Sequence, residues 1–457
     1  MICLLYEGLT RCKTGNEVEL ALATRVEISP DQMTYLFHLR PSFWSDGYPV
    51  TAYDFEASWK EILTPGFPSL CAYLLYPIQN AELSAKGLVS PDALGIFAVD
   101  AHTLKITLEK PTPYFLALTA FPLFLPHPSH LAADAPLITN GPFTLDHWTP
   151  NREIVLQKNP TFWDARHLSL DKIHIALIPN EMTALNLFEK GELDILGSPL
   201  SPLPLDAIPA WQGRGLQCIP LTASTFCIFN QQKGPFQNEN LRKALILAID
   251  PSQAILPEMG HLLATHPLPP ALLPADTPPL PLSYDRATAR ELFRKALQEL
   301  GSLEELTLVY KGGPAEKRVA QTLQRQWIEA LGLEVGLEQL DAKTHLQKLH
   351  EKNYQLSLTS WISQFPDPIN ILERFKDSHH PKNYAGWENR LYQKLVEEKK
   401  FLQAERILLD EAVILPLYHW SAPTLSSPRV ASLPINASGA ILFEKINLLD
   451  ESSAAHR

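Results

Sequence analysis

The chain is poor in sulfur: it has five cysteines and four methionines in 457 residues. No two cysteines stand as CxxC, their number is odd, and no zinc or iron–sulfur spacing occurs. Cys3, Cys12, Cys71, Cys218 and Cys227 therefore read as small hydrophobes, with any disulfide unassigned. No apolar run approaches the roughly 18 residues that a membrane-spanning helix needs, and the longest candidate, 114–126, is interrupted by Pro122. The stretch from Met1 to Tyr6 lacks a basic flank, a full apolar segment and a small-residue cleavage site, so by itself it describes a cytoplasmic chain. Positive charge is also short. Thirty-nine Lys and Arg face 50 Asp and Glu, a net charge of −11, which argues against a nucleic-acid partner.

Signatures of catalysis are missing as well. There is no P-loop, GxGxxG turn, nucleophile elbow or HExxH. His345 and His350 are poorly spaced for one helix face, and His379-His380 is the other local pair; solvated histidines suit both better than a metal. Carboxylates are plentiful, but none stands in a context that marks an acid/base pair. The expectation is a protein with no catalytic residues, no cofactor and no metal, a hydrolase being a remote alternative.

What is present is length enough for two or three domains. Forty prolines, nearly twice the average share, cluster at 122–136, 199–209 and 267–281, where they set loops and crossings. Alternation predicts strands at Thr34–Leu39 and Thr103–Leu108, and Thr51 with Asp54 predicts a capped helix start. From Ile138 the texture becomes α/β. Strands at 154–157, 173–178 and 194–196 with a helix over 180–190 predict a mainly parallel sheet. A second α/β region carries helices over 240–249, 285–300, 315–331, 345–352 and 393–409, with strands at 306–311, 333–337, 354–359 and 414–418. Ligand clefts favour domain interfaces and the carboxyl ends of strands.

Several segments, in order, resemble one family. They are Tyr6-Glu7-Gly8-Leu9, Tyr35 to Arg40, Trp44-Ser45-Asp46-Gly47, Pro49 to Phe55, Asn140-Gly141-Pro142-Phe143, Lys158-Asn159-Pro160 with Trp163-Asp164, Gly191 to Asp194, Leu241 to Leu245, and Trp361 with Asp367-Pro368. Together they are similar to the family 5 extracellular solute-binding proteins of oligopeptide, dipeptide and nickel importers. The resemblance implies an α/β, periplasmic binding protein-like fold of two lobes, with an extra β-rich domain inserted in the first. Residues 1–8, 127–221 and 425–457 would form lobe 1, 9–126 the insert and 222–424 lobe 2. Such a monomer would bind a peptide or peptide-like ligand and deliver it to ABC permease subunits; a nickel chelate or an oligosaccharide is the alternative. It also implies a location in the periplasm or cell envelope, with a signal peptide and a first strand ahead of the Tyr6 turn.

By the same resemblance the ligand would meet Trp361, Ile362, Ser363, Gln364, Phe226, Gly197, Ser198 and Leu70. Gln364 stands where peptide-binding relatives carry an aspartate for the peptide amine, and Leu358 where they carry an arginine. The usual charged clamps are therefore expected to be absent. Arg242, near a helix start, is expected to tie loops together, and Asp367 to serve a turn.

Overall fold

The computed structural model describes residues 1–15, 17–69, 71–131, 136–197, 201–280 and 284–449. The chain divides into two compact units, Met1–Asp194 with Ser426–Arg457, and Ile195–Leu425. It passes from one to the other at Asp194 and returns at Leu425.

In the first unit, Ala23–Ile28, Thr34–Leu39, Thr103–Thr107 and Ile96–Asp100 form, in that order, an antiparallel sheet. Thr34–Leu39 alternates as its sequence predicts, with Tyr35, Phe37 and Leu39 buried. The Ala52–Ile62 helix begins where expected. The Asp54 carboxylate accepts the Thr51 N–H at 2.7 Å, which satisfies a donor at the helix start. Phe55 and Trp59 then bury completely. The motif residues near the chain's start hold the scaffold: Asn140 exchanges hydrogen bonds with the Glu7 backbone at 3.0 and 3.1 Å. A Cβ at Gly141 would come within 2.5 Å of the Leu5 carbonyl carbon, so that approach needs glycine.

The parallel sheet expected after Ile138 does not form. Phe143–Thr149, Glu153–Lys158 and Lys172–Ala176 make an antiparallel meander. A tight turn with Asn151 at φ 60° joins the first two, and a parallel pair needs a crossover of about a dozen residues or more. The Glu181–Glu189 helix leads on to Ile195–Gly197, which belongs to the second unit's sheet rather than to this one.

That sheet runs in the order Ile195–Gly197, Ile414–Ser426, Gln217–Phe229, Leu356–Ile362, Leu306–Lys311, Val335–Leu340, with Leu262–Leu263 beside Ile414–Ser426. Gln217–Phe229 is antiparallel to both its neighbours, while Leu306–Lys311 is parallel to both of its own. Helices cover both faces, so the central strand is buried almost throughout its second half. The period of two divides it cleanly. Cys227 and Phe229 face a core with Trp327, while Phe226 and Ile228 face another with Trp361 and Tyr392. The single helix expected over 393–409 is two, Arg390–Glu397 and Phe401–Asp410, broken where Lys399 turns left-handed at φ 58°.

Arg242 ties loops together, as its place near a helix start suggests. Buried, it donates to the carbonyls of Phe236, Gln237, Glu411 and Ala412 at 2.8 to 3.2 Å.

Candidate ligand-binding site

Parallel strands end on the same side, and here those ends build a cavity. Tyr310 lies in register with Leu358, so Lys311 and the Thr359–Ile362 segment emerge together at the carboxyl ends of their strands. The cavity has a volume of about 320 Å³ and lies within the second unit. Lys311, Glu316, His345, Trp361, Ile362 and Gln364 line it, together with Arg374, Lys382, Tyr384 and Trp420. Pairing with Leu306–Lys311 stops at Leu358. Among the described residues, 359–362 pair on one side only, with Ala223–Phe226.

Trp361 is the centre of this arrangement. The residue is 4% exposed, and its ring packs on Phe226, Phe375 and Tyr384, with centroids 6.0 to 6.3 Å apart. The Arg374 guanidinium lies over the ring, 3.1 Å from its centroid, a cation–π contact worth about 2 kcal/mol where water is excluded. Arg374 Nε donates to the Asn370 carbonyl at 2.8 Å, which fixes its side chain. The Trp361 indole N–H is buried with no hydrogen-bond partner among the described residues. His345 is held neutral: burial and the nearby Lys311 charge push it down to about 4.

The predicted site residues fall in different places. Trp361, Ile362 and Gln364 line the cavity. Ser363 is buried and its hydroxyl donates to the Phe365 carbonyl at 2.6 Å, so it shapes the turn. The Gln364 N–H donates to the Asn370 side chain at 3.2 Å. Phe226 has no exposed surface and reaches the site only through the Trp361 ring beside it. Gly197 sits far from Trp361 in the sheet order, in the edge strand beside Ile414–Ser426. Ser198 and Leu70 lie outside the described residues. Asp367 serves a turn, accepting the Ile369 N–H at 2.9 Å.

Charge around the cavity departs from the sequence-based expectation. Leu358 and Gln364 are neutral, yet Lys311, Arg374 and Lys382 surround Trp361. Sequence reasoning missed these cations because no local motif joins them; the only trace is the basic residues scattered through 374–382. Elsewhere, Asp377, His379 and Glu388 bring ligand atoms within 4.8 Å of one another. All three are exposed and bonded among themselves and to Ser378, as surface polar groups commonly are.

A Cβ at Gly197 would lie 2.6 Å from Thr424 Cα and 2.7 Å from the Pro423 oxygen, both backbone atoms that cannot swing away. Gly197→Ala is expected to destabilise the second unit by about 1–3 kcal/mol, measured by urea unfolding. An unchanged midpoint would show that the edge strand shifts freely.

Two compact units linked by two chain crossings, one bearing a cavity at strand ends, have the make-up of a ligand-binding protein. Comparison with known proteins agrees. The family described as bacterial extracellular solute-binding proteins, family 5 Middle, matches residues 17–383. The oligopeptide-binding protein OppA of Bacillus subtilis is 33% identical, over 96% of this chain and 86% of its own length. Among solved structures, the Escherichia coli murein tripeptide binding protein MppA gives a TM-score of 0.87 at 28% identity, covering 98% of this chain and 93% of that one. Listeria monocytogenes OppA bound to peptide gives 0.85 at 27%, covering 98% and 94%. The chain belongs to the bacterial extracellular solute-binding proteins of family 5, and its fold is that of the periplasmic binding proteins.

Proposed function

We propose that this protein is the solute-binding component of an ABC importer, and that it captures peptides or peptide-like ligands, cell-wall peptides among them, for membrane permease subunits. The observation that carries this reading is the backbone of 359–362, paired on one side only and bordering the Trp361 cavity. An extended peptide can add to such an edge, taking affinity from main-chain bonds while a roomy pocket accepts varied side chains. Relatives named as oligopeptide-, dipeptide- and murein peptide-binding proteins support the ligand class. On this reading the protein works outside the inner membrane. Residues 1–8, 127–221 and 425–457 act as one lobe, 9–126 as its inserted domain and 222–424 as the other lobe. On this division, bending where the chain passes between the lobes, at residues 221–222 and 424–425, would close them on a ligand that prefers the closed form.

Native mass spectrometry of protein purified from its own host tests this reading: co-purifying peptides are expected, and oligosaccharides or nickel chelates in their place would overturn it. Gln364 adds a finer prediction. Gln364 offers a peptide amine no charge partner, so N-acetylation of a bound peptide is expected to weaken its Kd by no more than about threefold. An ion-paired amine would lose on the order of a hundredfold or more. Isothermal titration of a free and an acetylated peptide decides between them.

A further inference from the structure

We infer that the Trp361 cavity is an acceptor-seeking subsite, so the group that enters it is a carboxylate. This deepens the peptide-capture reading and rests on it. Among the described residues, the cavity's lining carries three cations, Lys311, Arg374 and Lys382, against a single carboxylate, Glu316. His345, the remaining titratable ring on the Lys311 side, adds no negative charge. Gln364 brings none where a carboxylate would have balanced the set. The Trp361 N–H makes the same demand: it is a buried donor with no partner among the described residues, and such a group favours an incoming oxygen acceptor. Arg374 is pre-organised for the task. Its plane is fixed over Trp361 and by the Asn370 carbonyl, so little side-chain entropy is lost when a carboxylate docks on a fixed guanidinium.

The polarity of the site is therefore the reverse of an amine-binding one. A ligand with a blocked or distant amine and a near carboxylate fits it, whereas a peptide whose amine must enter the cavity meets like charges. The carboxylate could be a chain terminus or an acidic side chain, and the chemistry recognised is the same.

The experiment uses the full chain and four acetylated Ala-based peptides of one length: a terminal carboxylate with Gln inside, a terminal amide with Glu inside, both carboxylates, and neither. Titration calorimetry is expected to give the peptide with neither carboxylate at least tenfold weaker binding than the best acidic peptide. The two single-carboxylate peptides show which source is used. Lys382→Met and, separately, Lys311→Met are expected to shrink that ratio at least threefold while thermal melting shows the fold intact. Arg374→Lys, which keeps the charge and loses the fork, is expected to shrink it less than Arg374→Met. Equal binding of all four peptides overturns this inference and leaves peptide capture standing. If none of the four binds, and free-amine versions do, the subsite is an amine site and the inference fails. If neither set binds, the peptide reading falls and takes this inference with it.

Discussion

Lowering the pH from 7 to 5 is expected to take about 6 kcal/mol from the unfolding free energy of the second unit, through three buried histidines. His261, His345 and His419 are each pushed down to about 4, chiefly by burial. The Ser421 N–H donates to His261 Nδ1 at 3.1 Å, so that nitrogen must stay unprotonated. The His261 ring also stacks on Tyr418, with centroids 4.8 Å apart. His419 pairs with the Ser224 hydroxyl at 2.8 Å, and His345 with that of Ser357 at 2.9 Å. The sign follows from proton counting. An unfolded histidine titrates near 6.5. Between about 6.5 and 4 the unfolded chain therefore takes up three protons that the folded unit refuses. Stability is complete above 6.5 and is lost as the pH falls toward 4, at about 2 kcal/mol per histidine by pH 5. His380, also pushed down to about 4 by burial, adds to the loss, while His266, raised by its bond to Glu405, works in the opposite direction and offsets part of it. Hydrogen exchange of amides in Gln217–Phe229 and Ile414–Ser426 at pH 7 and pH 5 would measure the effect. Protection that does not change would refute it. His345→Gln should lower the pH slope by about 1.4 kcal/mol per unit, one proton's worth. The first unit should respond with the other sign. Burial raises Glu7 to about 7 even with Arg11 3.6 Å away, so acidification relieves a cost there of about 2 kcal/mol.

Arg242→Met is expected to destabilise the second unit by about 3–5 kcal/mol. Its guanidinium joins two loops that are distant in sequence. One side holds the Phe236 and Gln237 carbonyls before the Glu239–Leu247 helix. The other holds the Glu411 and Ala412 carbonyls, where the Phe401–Asp410 helix ends. Helix-end carbonyls carry partial negative charge and favour a cation. Ala412 is held at a left-handed φ of 53°, a conformation that this bond helps to fix. Removing the guanidinium leaves buried acceptors unpaired, and that desolvation penalty sets the size of the loss. Lysine supplies charge without the planar fork, so Arg242→Lys should lose a substantial part of the same amount. Chemical denaturation checks both variants. A loss under about 1 kcal/mol for methionine would mean that water replaces the guanidinium. Ligand affinity per folded molecule should not change, since Arg242 does not line the cavity.

The amino-acid sequence by itself determined the elements whose residues are contiguous. Alternation placed the Thr34–Leu39 strand at its observed bounds, the Leu306–Lys311 strand was read at its observed bounds too, and Thr51 with Asp54 placed a helix start, because these signals need only near neighbours. The ordered motifs likewise carried the family, and through it Trp361. Tertiary structure decided what depends on distant partners. The 143–176 strands could have belonged to either kind of sheet until the short turn at Asn151 made them antiparallel. A one-residue break at Lys399 divided a periodic pattern that read as one helix. The charge of the binding cavity was hidden for the same reason. Leu358 and Gln364 announce neutrality in the local sequence, while Lys311 lies far in sequence from the 374–382 stretch that carries Arg374 and Lys382, and the three meet only in the folded chain. The histidine acidities too exist only there, since burial is a property of the packed neighbours and not of the residue that titrates.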